Sequence, residues 1–350
     1  MKHYRNFLLG CAACVLAVLP ANGAEGMKKG TPKLASATAM AFAPDGVLFI
    51  GDGKSGKLVA IQTTDKATMA AAAVNVENLP AAIASLLGTT AEGIVINDMK
   101  VHPTSKKVYF SVSRGRGPDA ASTIIVVGSD GKPTEMSLTD VMFAEVQLSN
   151  SSAGRGGEAI TSISFVKDSV IVSGLTTEEW ASNLRTIPYP FKASAKGAGV
   201  EIYHGAHGKY ETKAPVRTFT TVEIDGKTNV LAAYTCTPLV KFPLDEVKDG
   251  AKVKGKTVAE LGNRNRPLDM ISYSKDGKGF LLMANSARGV MKVSLDGIEK
   301  IEGITTRING VAGLKYDSLA DWKDVTQLDK LSDTQAVILS GTSLKTVELP

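Results

Sequence analysis

The chain has 350 residues, of which 43% are hydrophobic and 21% charged, and its formal charge is 40 − 35 = +5. That length buries a sizeable core and leaves room for one large closed unit. The charge is too small for a nucleic-acid footprint, and no basic stripe interleaves with aromatic residues.

In chain order, residues 1–24 read as a leader. Lys2 and Arg5 form a positive start, Phe7–Leu19 is an apolar run too short to span a bilayer, and Pro20–Ala24 supplies small residues for cleavage. The expectation is a secretory signal peptide and a periplasmic or secreted protein, with no membrane span further on. Without the leader the charge falls to 5 − 2 = +3, and Cys11 and Cys14 leave with it. Cys236 then stands alone, with no internal disulfide available; it reads either as a small buried hydrophobe or as a thiol to be watched.

From residue 25 onward a phrase recurs. Thr38–Gln62 is TAMAFAPDGVLFIGDGKSGKLVAIQ and Leu268–Leu295 is LDMISYSKDGKGFLLMANSARGVMKVSL; Asn97–Val127 follows the same plan with a short insert. Each is an apolar strand, a turn, a second apolar strand, a polar turn and a third strand. Val, Ile, Phe, Tyr and Thr fill the strands, and Asp45-Gly46, Asp225-Gly226 and Asp276-Gly277 mark matching turns. Such repeats predict an all-β, six-bladed β-propeller as a single domain over 25–350. With strands lettered A to D from the channel outward, the expected blades are as follows. Blade 1 has Thr38–Ala43, Val47–Gly51 and Lys57–Gln62; blade 2 has Val95–Val101, Lys107–Val112 and Thr123–Val127. Blade 3 has Ile160–Val166, Ser169–Leu175 and Val200–His204; blade 4 has Val216–Ile224, Asn229–Thr235 and Leu239–Pro243. Blade 5 has Leu268–Ser272, Gly279–Ala284 and Val290–Ser294; blade 6 has Val311–Tyr316, Ala336–Ser340 and Leu344–Leu349. Blade 6 lacks an outer strand, so the N-terminal and C-terminal segments are expected to pair, Gly30–Ser36 lying beside Leu344–Leu349. Helices are expected only in connections, at Ala67–Ala73, Pro80–Leu87, Glu178–Leu184 and Leu319–Leu331.

The phrase FAPDGVLFIGD…GKLVAI resembles blades of the NHL-repeat and gluconolactonase-like propeller superfamily, most clearly in blades 1 and 5. The resemblance implies six blades and a site on one face of the central channel. It brings no catalytic motif that matches residue by residue. The segments Leu175–Phe191, Val200–Thr212 and Ala232–Asp269 are similar to an uncharacterised family of exported propellers.

Strand direction selects the candidate site. The B–C loops and the starts of the A strands share one face, called the top. There the reading gathers Asp52, Arg114, Arg116, Glu178, Glu179, Cys236, Asn285, Arg288 and Thr342 with Asn97, Asp98, Glu158, Asp269 and Asn309. Carboxylates, amides and arginines in one funnel have the composition of a polar ligand site or an oxygen-rich metal site. Asp98, Asp269 and Asn285 are the expected ligands of a divalent cation such as Ca²⁺ or Mg²⁺. An insert at 176–199 adds Arg185, Trp180 and Tyr189, the aromatics either stacking on a ligand or pinning the loop. His204 and His207, with Glu201, Glu211 or Cys236, have the softness of a copper or zinc set. The blade register, however, puts the histidines at the bottom and Cys236 at the top, about 20 Å away for six-residue strands. His102 is expected at the bottom in a structural role.

There is no Cys-x-x-Cys-His, His-Glu-x-x-His, Gly-x-Ser-x-Gly or phosphate-binding glycine loop. The expected function is a binding module holding a small polar ligand or a periplasmic protein partner at the top of the channel. The alternatives are a lactonase-like metal-dependent hydrolase using the same funnel, and a non-catalytic subunit of a periplasmic redox complex.

Overall fold

A computed structural model describes residues 26–152 and 158–350; the expected leader lies outside the described residues. The described residues form six sheets arranged as the blades of a propeller, antiparallel apart from one parallel pair between Gly199–Glu201 and Lys252–Lys254. No helix among the described residues is long and apolar enough to cross a membrane.

The A, B and C strands of blades 1, 2, 4 and 5 lie close to their expected places. They are Ala39–Phe42, Val47–Asp52 and Lys57–Gln62 in blade 1, and Ile94–Val101, Val108–Arg114 and Ala121–Val127 in blade 2. Blade 4 uses Thr218–Ile224, Lys227–Ala233 and Pro238–Pro243; blade 5 uses Pro267–Lys275, Lys278–Asn285 and Gly289–Ser294. Asp225-Gly226 and Asp276-Gly277 adopt positive φ at both residues, between 49° and 75°. That is the mirror-image turn whose twist suits a two-residue hairpin, and it explains the dipeptide.

Blades 3 and 6 depart from the expectation. In blade 3 the third strand is Ser182–Pro188, inside the presumed insert, and Ala198–His204 is the fourth. The expected helix Glu178–Leu184 is instead a bend that runs into this strand at Ser182. In blade 6 the inner strand is Val325–Lys330, where a helix was expected, followed by Gln335–Ser340 and Ser343–Glu348. The expected inner strand of blade 6 is split: Val311–Gly313 edges blade 4 and Tyr316–Ser318 edges blade 5. Of the expected helices, Pro80–Leu87 is present as Leu79–Leu86, capped by Asn78 and buried through Leu79, Ile83 and Ala84.

The ring does not follow the sequence. Contacts between inner strands place the blades in the order 1-3-4-5-6-2 and back to 1. The apolar packing agrees, with one buried cluster for each neighbouring pair. Met40, Leu48 and Ile50 of blade 1 pack on Tyr109 and Ile124 of blade 2, while Phe49 and Leu58 pack toward Ile163 and Val172 of blade 3. After blade 1 the chain crosses beneath blade 2 and pairs Val76 with Leu344 of blade 6. It then builds blade 2 and returns to supply the fourth strand of blade 1, Val141–Gln147. A segment that follows the third strand of blade 1 thus lies against the last strand, in place of the expected N-terminal one. That segment is Val74–Val76, not Gly30–Ser36. The N-terminal strand Lys28–Gly30 instead covers the edge at Val141–Phe143.

The crossing segment is tied down at its start. The Asp65 carboxylate accepts from Lys107 Nζ at 2.6 Å and from Tyr109 Oη at 2.7 Å. Thr63 Oγ1 meets His102 Nε2 at 3.0 Å, so His102 has the structural place at the bottom that its position suggested. Burial lowers the His102 pKa.

Candidate functional site

The channel wall carries a repeated device. Asp98, Asp269 and Asp329 sit in the inner strands of blades 2, 5 and 6, each strand having a register shift beside or shortly before the carboxylate. One oxygen of each accepts from the next residue's amide, at Met99, Met270 and Lys330. The other accepts from the neighbouring inner strand: Asp269 from Leu328 N at 3.0 Å, Asp329 from Val101 N at 2.7 Å, Asp98 from Met40 N at 2.6 Å. The bulges aim the side chains sideways, and the carboxylates stitch blade 5 to 6, 6 to 2 and 2 to 1.

Lys100 supplies the cation. Its Nζ lies 2.9 Å from Asp98 Oδ1 and 3.9 Å from Asp269 Oδ1. Burial alone would lower its pKa, but the charges of Asp269, Asp98 and Asp329 more than offset this and hold it above the ordinary lysine value. Burial pushes Asp269 up to about 7 and raises Asp329, against the pull of Lys100. Asp98 and Asp269, expected as metal ligands, are thus occupied by backbone amides and an internal ammonium. Asn285 is apart from them, at the top end of its strand, accepting from Asn265 Nδ2 at 3.0 Å and donating to Met283 O.

The other expected residues are spread around the top and the blade interfaces. Asp52 is fully buried and accepts from Ala35 N, Ser36 N, Ser36 Oγ and Ser55 N, a structural tie for the segment entering blade 1. Glu158 pairs with Arg217 at 3.0 Å, and Glu178 is exposed beside Asn150 and Lys196. Arg185 is not on a lid. It is buried in the third strand of blade 3, donates to Ser149 O and Ala195 O, and leaves Nη1 without a partner. Burial lowers its pKa to about 10. Tyr189 and Phe191 pack edge-on to Phe49 or to each other, and the Trp180 ring lies under Lys252 Nζ, so these aromatics pin their own segment. Arg114, Arg288 and Asn309 are exposed, and Arg288 donates to Asn263 O.

Two places at the top have the form of a site. The first is a cleft of about 670 Å³ between blades 1 and 2. Ala37, Val95, Pro118 and Ala120 give it apolar walls, with Asn97 and Ser113 among them. Lys54 and Arg116 also line it, and their hydrogen bonds go to carbonyl oxygens: Lys54 Nζ to Pro118 O at 2.7 Å, Arg116 Nε to Glu92 O at 2.9 Å. Glu92 is in electrostatic reach of Arg116. Lys54 was not among the expected residues, although its place in the B–C turn of blade 1 marks it.

The second is at the rim between blades 3 and 4. Because Ala198–His204 is a fourth strand, it ends at the top, the same end at which Cys236 follows the second strand of blade 4. One ligand atom each from His204, His207 and Cys236 lies within 4.8 Å of the others. The expected separation of the histidines from the thiol is overturned. A turn at 205–208 returns the chain to Lys209–Glu211, and Glu211 accepts from both imidazoles: His204 Nδ1 at 3.0 Å and His207 Nδ1 at 2.8 Å. Burial raises the Glu211 carboxyl, but those two hydrogen bonds more than offset it and hold the pKa below the usual glutamate value. Glu260 fastens the turn from beneath through Gly205 N at 2.6 Å; burial pushes its carboxyl up to about 7 against the amides of Gly205 and Ala206.

No protein-family model matches the chain, and no curated protein sequence matches it. Among solved structures, it is similar to a chain of the "Crystal Structure of Mitotic Checkpoint Complex" at 7% identity and a TM-score of 0.42, covering 92% of this chain and 94% of that one. It is also similar to a chain of "Kuenenia stuttgartiensis Hydrazine Synthase" at 11% identity and a TM-score of 0.37, covering 91% and 97%. Nothing about activity or partners follows from likenesses of this size.

Proposed function

We propose that this chain is an exported binding module whose ligand, a small organic molecule bearing a carboxylate or phosphate, seats in the cleft between blades 1 and 2. A propeller presents its top loops as a binding or scaffolding surface, and a cleft of about 670 Å³ is of the size that takes a small ligand. The observation that carries the reading is the pairing of apolar walls with Lys54 and Arg116, neither of which forms an ion pair among the described residues. Carbonyl oxygens orient the two cations without neutralising them, and with the single Glu92 carboxylate in reach of Arg116 the pair keeps a net positive charge for an incoming anion.

The hydrolase alternative calls for a divalent cation between Asp98 and Asp269. Lys100 Nζ lies against both carboxylates, so a metal there would have to displace a buried ammonium. The binding reading is therefore preferred.

The test is a thermal-shift and calorimetry panel of small carboxylates, phosphates and their uncharged amide or alcohol analogues. The expected result is binding of an anionic member that weakens with salt and is lost in Lys54→Ala/Arg116→Ala. A panel in which no anion binds, or in which the double variant binds equally well, overturns the reading.

A further inference from the structure

The rim between blades 3 and 4 has no part in the ligand cleft, and its side chains are not explained by packing. His204 is 3% exposed, yet its Nε2 is buried with no hydrogen-bond partner in the protein. An unpaired buried imidazole nitrogen is costly, and a packing role would favour an apolar residue there. The imidazole is also held in place from behind. Glu211 takes both Nδ1–H groups, one on each carboxylate oxygen, so Nε2 carries the free lone pair on each neutral ring. The two rings lie 3.7 Å apart between centroids. Cys236 approaches from the next blade. Its amide donates to Asn265 O at 2.7 Å, and both Cys236 and Thr237 have positive φ, 65° and 56°. For a β-branched residue such as Thr237 that conformation is rare.

We propose that His204, His207 and Cys236 form a binding site for a thiophilic d-block cation, zinc or copper, with Glu211 as the carboxylate that orients both imidazoles. Two imidazole nitrogens and a thiolate are the donor set that borderline-soft cations select over calcium or magnesium. A carboxylate on the far nitrogen of each metal-binding histidine fixes the tautomer and makes the ring a better ligand. With metal–nitrogen and metal–sulfur bonds of about 2.0 and 2.3 Å, ligand atoms in a tetrahedral site stand roughly 3.5 Å apart. The present spread of up to 4.8 Å closes with side-chain movement of about 1 Å. Such movement is available to His207, on an exposed turn, and to the half-buried thiol. His204 is the fixed anchor. Three protein ligands leave a fourth position open toward the solvent side of His207, the arrangement of zinc sites that keep an exchangeable ligand.

The experiment uses the reduced full chain, loaded separately with Co²⁺, Zn²⁺ and Cu⁺ under anaerobic conditions. Co²⁺ is the spectroscopic probe, because thiolate ligation gives a charge-transfer band in the near ultraviolet and tetrahedral geometry gives intense visible bands. The expected result is one equivalent of Co²⁺ with both signatures, displaced by Zn²⁺ or Cu⁺; which of these displaces at lower concentration identifies the preferred metal. Cys236→Ser, at a half-buried position, should keep the fold and abolish the charge-transfer band. Cys11 and Cys14 are present in both proteins, so the difference reports Cys236 alone. Glu211→Gln should keep the band and weaken binding 10–100-fold, the usual loss for an outer-shell partner. His204→Gln should weaken it further. Absence of the band in the parent chain, or an unchanged band in Cys236→Ser, overturns the proposal. So does undiminished affinity in His204→Gln. None of these readouts involves the cleft between blades 1 and 2, so the two readings fail separately.

Discussion

Replacing Lys100 with methionine tests whether the channel wall is held by an internal cation. The substitution keeps most of the length of the side chain and removes the ammonium that faces Asp98, Asp269 and Asp329. At about 4 Å and an effective dielectric near 20, each close ion pair contributes about 4 kcal/mol of attraction, set against a desolvation cost of several kcal/mol for the ammonium. Removing one partner of a buried pair typically costs 3–5 kcal/mol, because the remaining carboxylates are left uncompensated. Lys100 keeps 20% of its side-chain surface open to the channel, so the expectation lies at the lower end, about 3 kcal/mol at pH 7. With a urea slope of about 3 kcal/mol/M for a domain of this size, the unfolding midpoint should drop by about 1 M. Acid should restore part of the loss. Asp269 and Asp329 already have raised pKa values with Lys100 present, and without it they protonate more readily still. At pH 5 the variant should therefore lie closer to the parent chain than at pH 8. A midpoint unchanged at both pH values would show that channel water alone solvates the carboxylates, and would refute the internal-cation account.

Two further outcomes follow from the same network and from the crossing segment. Burial holds the folded-state pKa of Asp269 at about 7, above the ordinary carboxylate range, so the native state holds the extra proton across that interval. Its contribution is complete below the unfolded pKa and is lost as pH rises through about 7, a span worth at most about 4 kcal/mol. Asp269→Asn should flatten the fall in urea midpoint between pH 5 and pH 8; an equally steep profile would assign that fall elsewhere. Asp65→Ala removes the anchor of the segment beneath blade 2, including bonds to Lys107 and Tyr109. Charge-assisted hydrogen bonds of this kind should make it about 1–3 kcal/mol less stable at pH 7. Burial opposes it, but those bonds hold the Asp65 pKa below its ordinary value, so the cost should fade as pH drops through that lowered value. A cost that persists in acid would point to packing instead.

Blades 1, 2, 4 and 5 are legible because their A, B and C strands follow one another with nothing longer than the short insert of blade 2 and are punctuated by turn residues. Blade 6 was not, for a physical reason. Its inner strand, Val325–Lys330, reads VTQLDK. Its only apolar residues are one Val and one Leu, set among Thr, Gln, Asp and Lys, so it offers no apolar run to read. The more apolar Val311–Tyr316 stretch drew the assignment, but its residues are spent on the outer edges of blades 4 and 5. Ring order was out of reach for a different reason. Excursions such as 63–76 and 128–147 have compositions compatible with many routes, and only packing on Leu344 and on Lys57–Ile61 selects one.

The same arithmetic decided the site. In an antiparallel blade each added strand exchanges top for bottom, so a miscount of one carries every later residue across the sheet. The third strand of blade 3, Ser182–Pro188, is SNLRTIP, with Arg185 at its centre and few apolar residues. Once it is counted, His204 moves from the bottom of blade 3 to the top, a shift of about 20 Å for six residues at 3.3 Å each, and arrives beside Cys236. The histidine pair and the thiol were visible as residue types; what joined them was the parity of a strand with a weak signature. The channel shows the converse. Asp98 and Lys100 stand two apart in one strand, and alternate residues share a face. A carboxylate with its own ammonium two positions on is already supplied with a cation, and this spacing is the sequence signal, unused in the metal expectation, for Lys100 as the partner of Asp98 and Asp269.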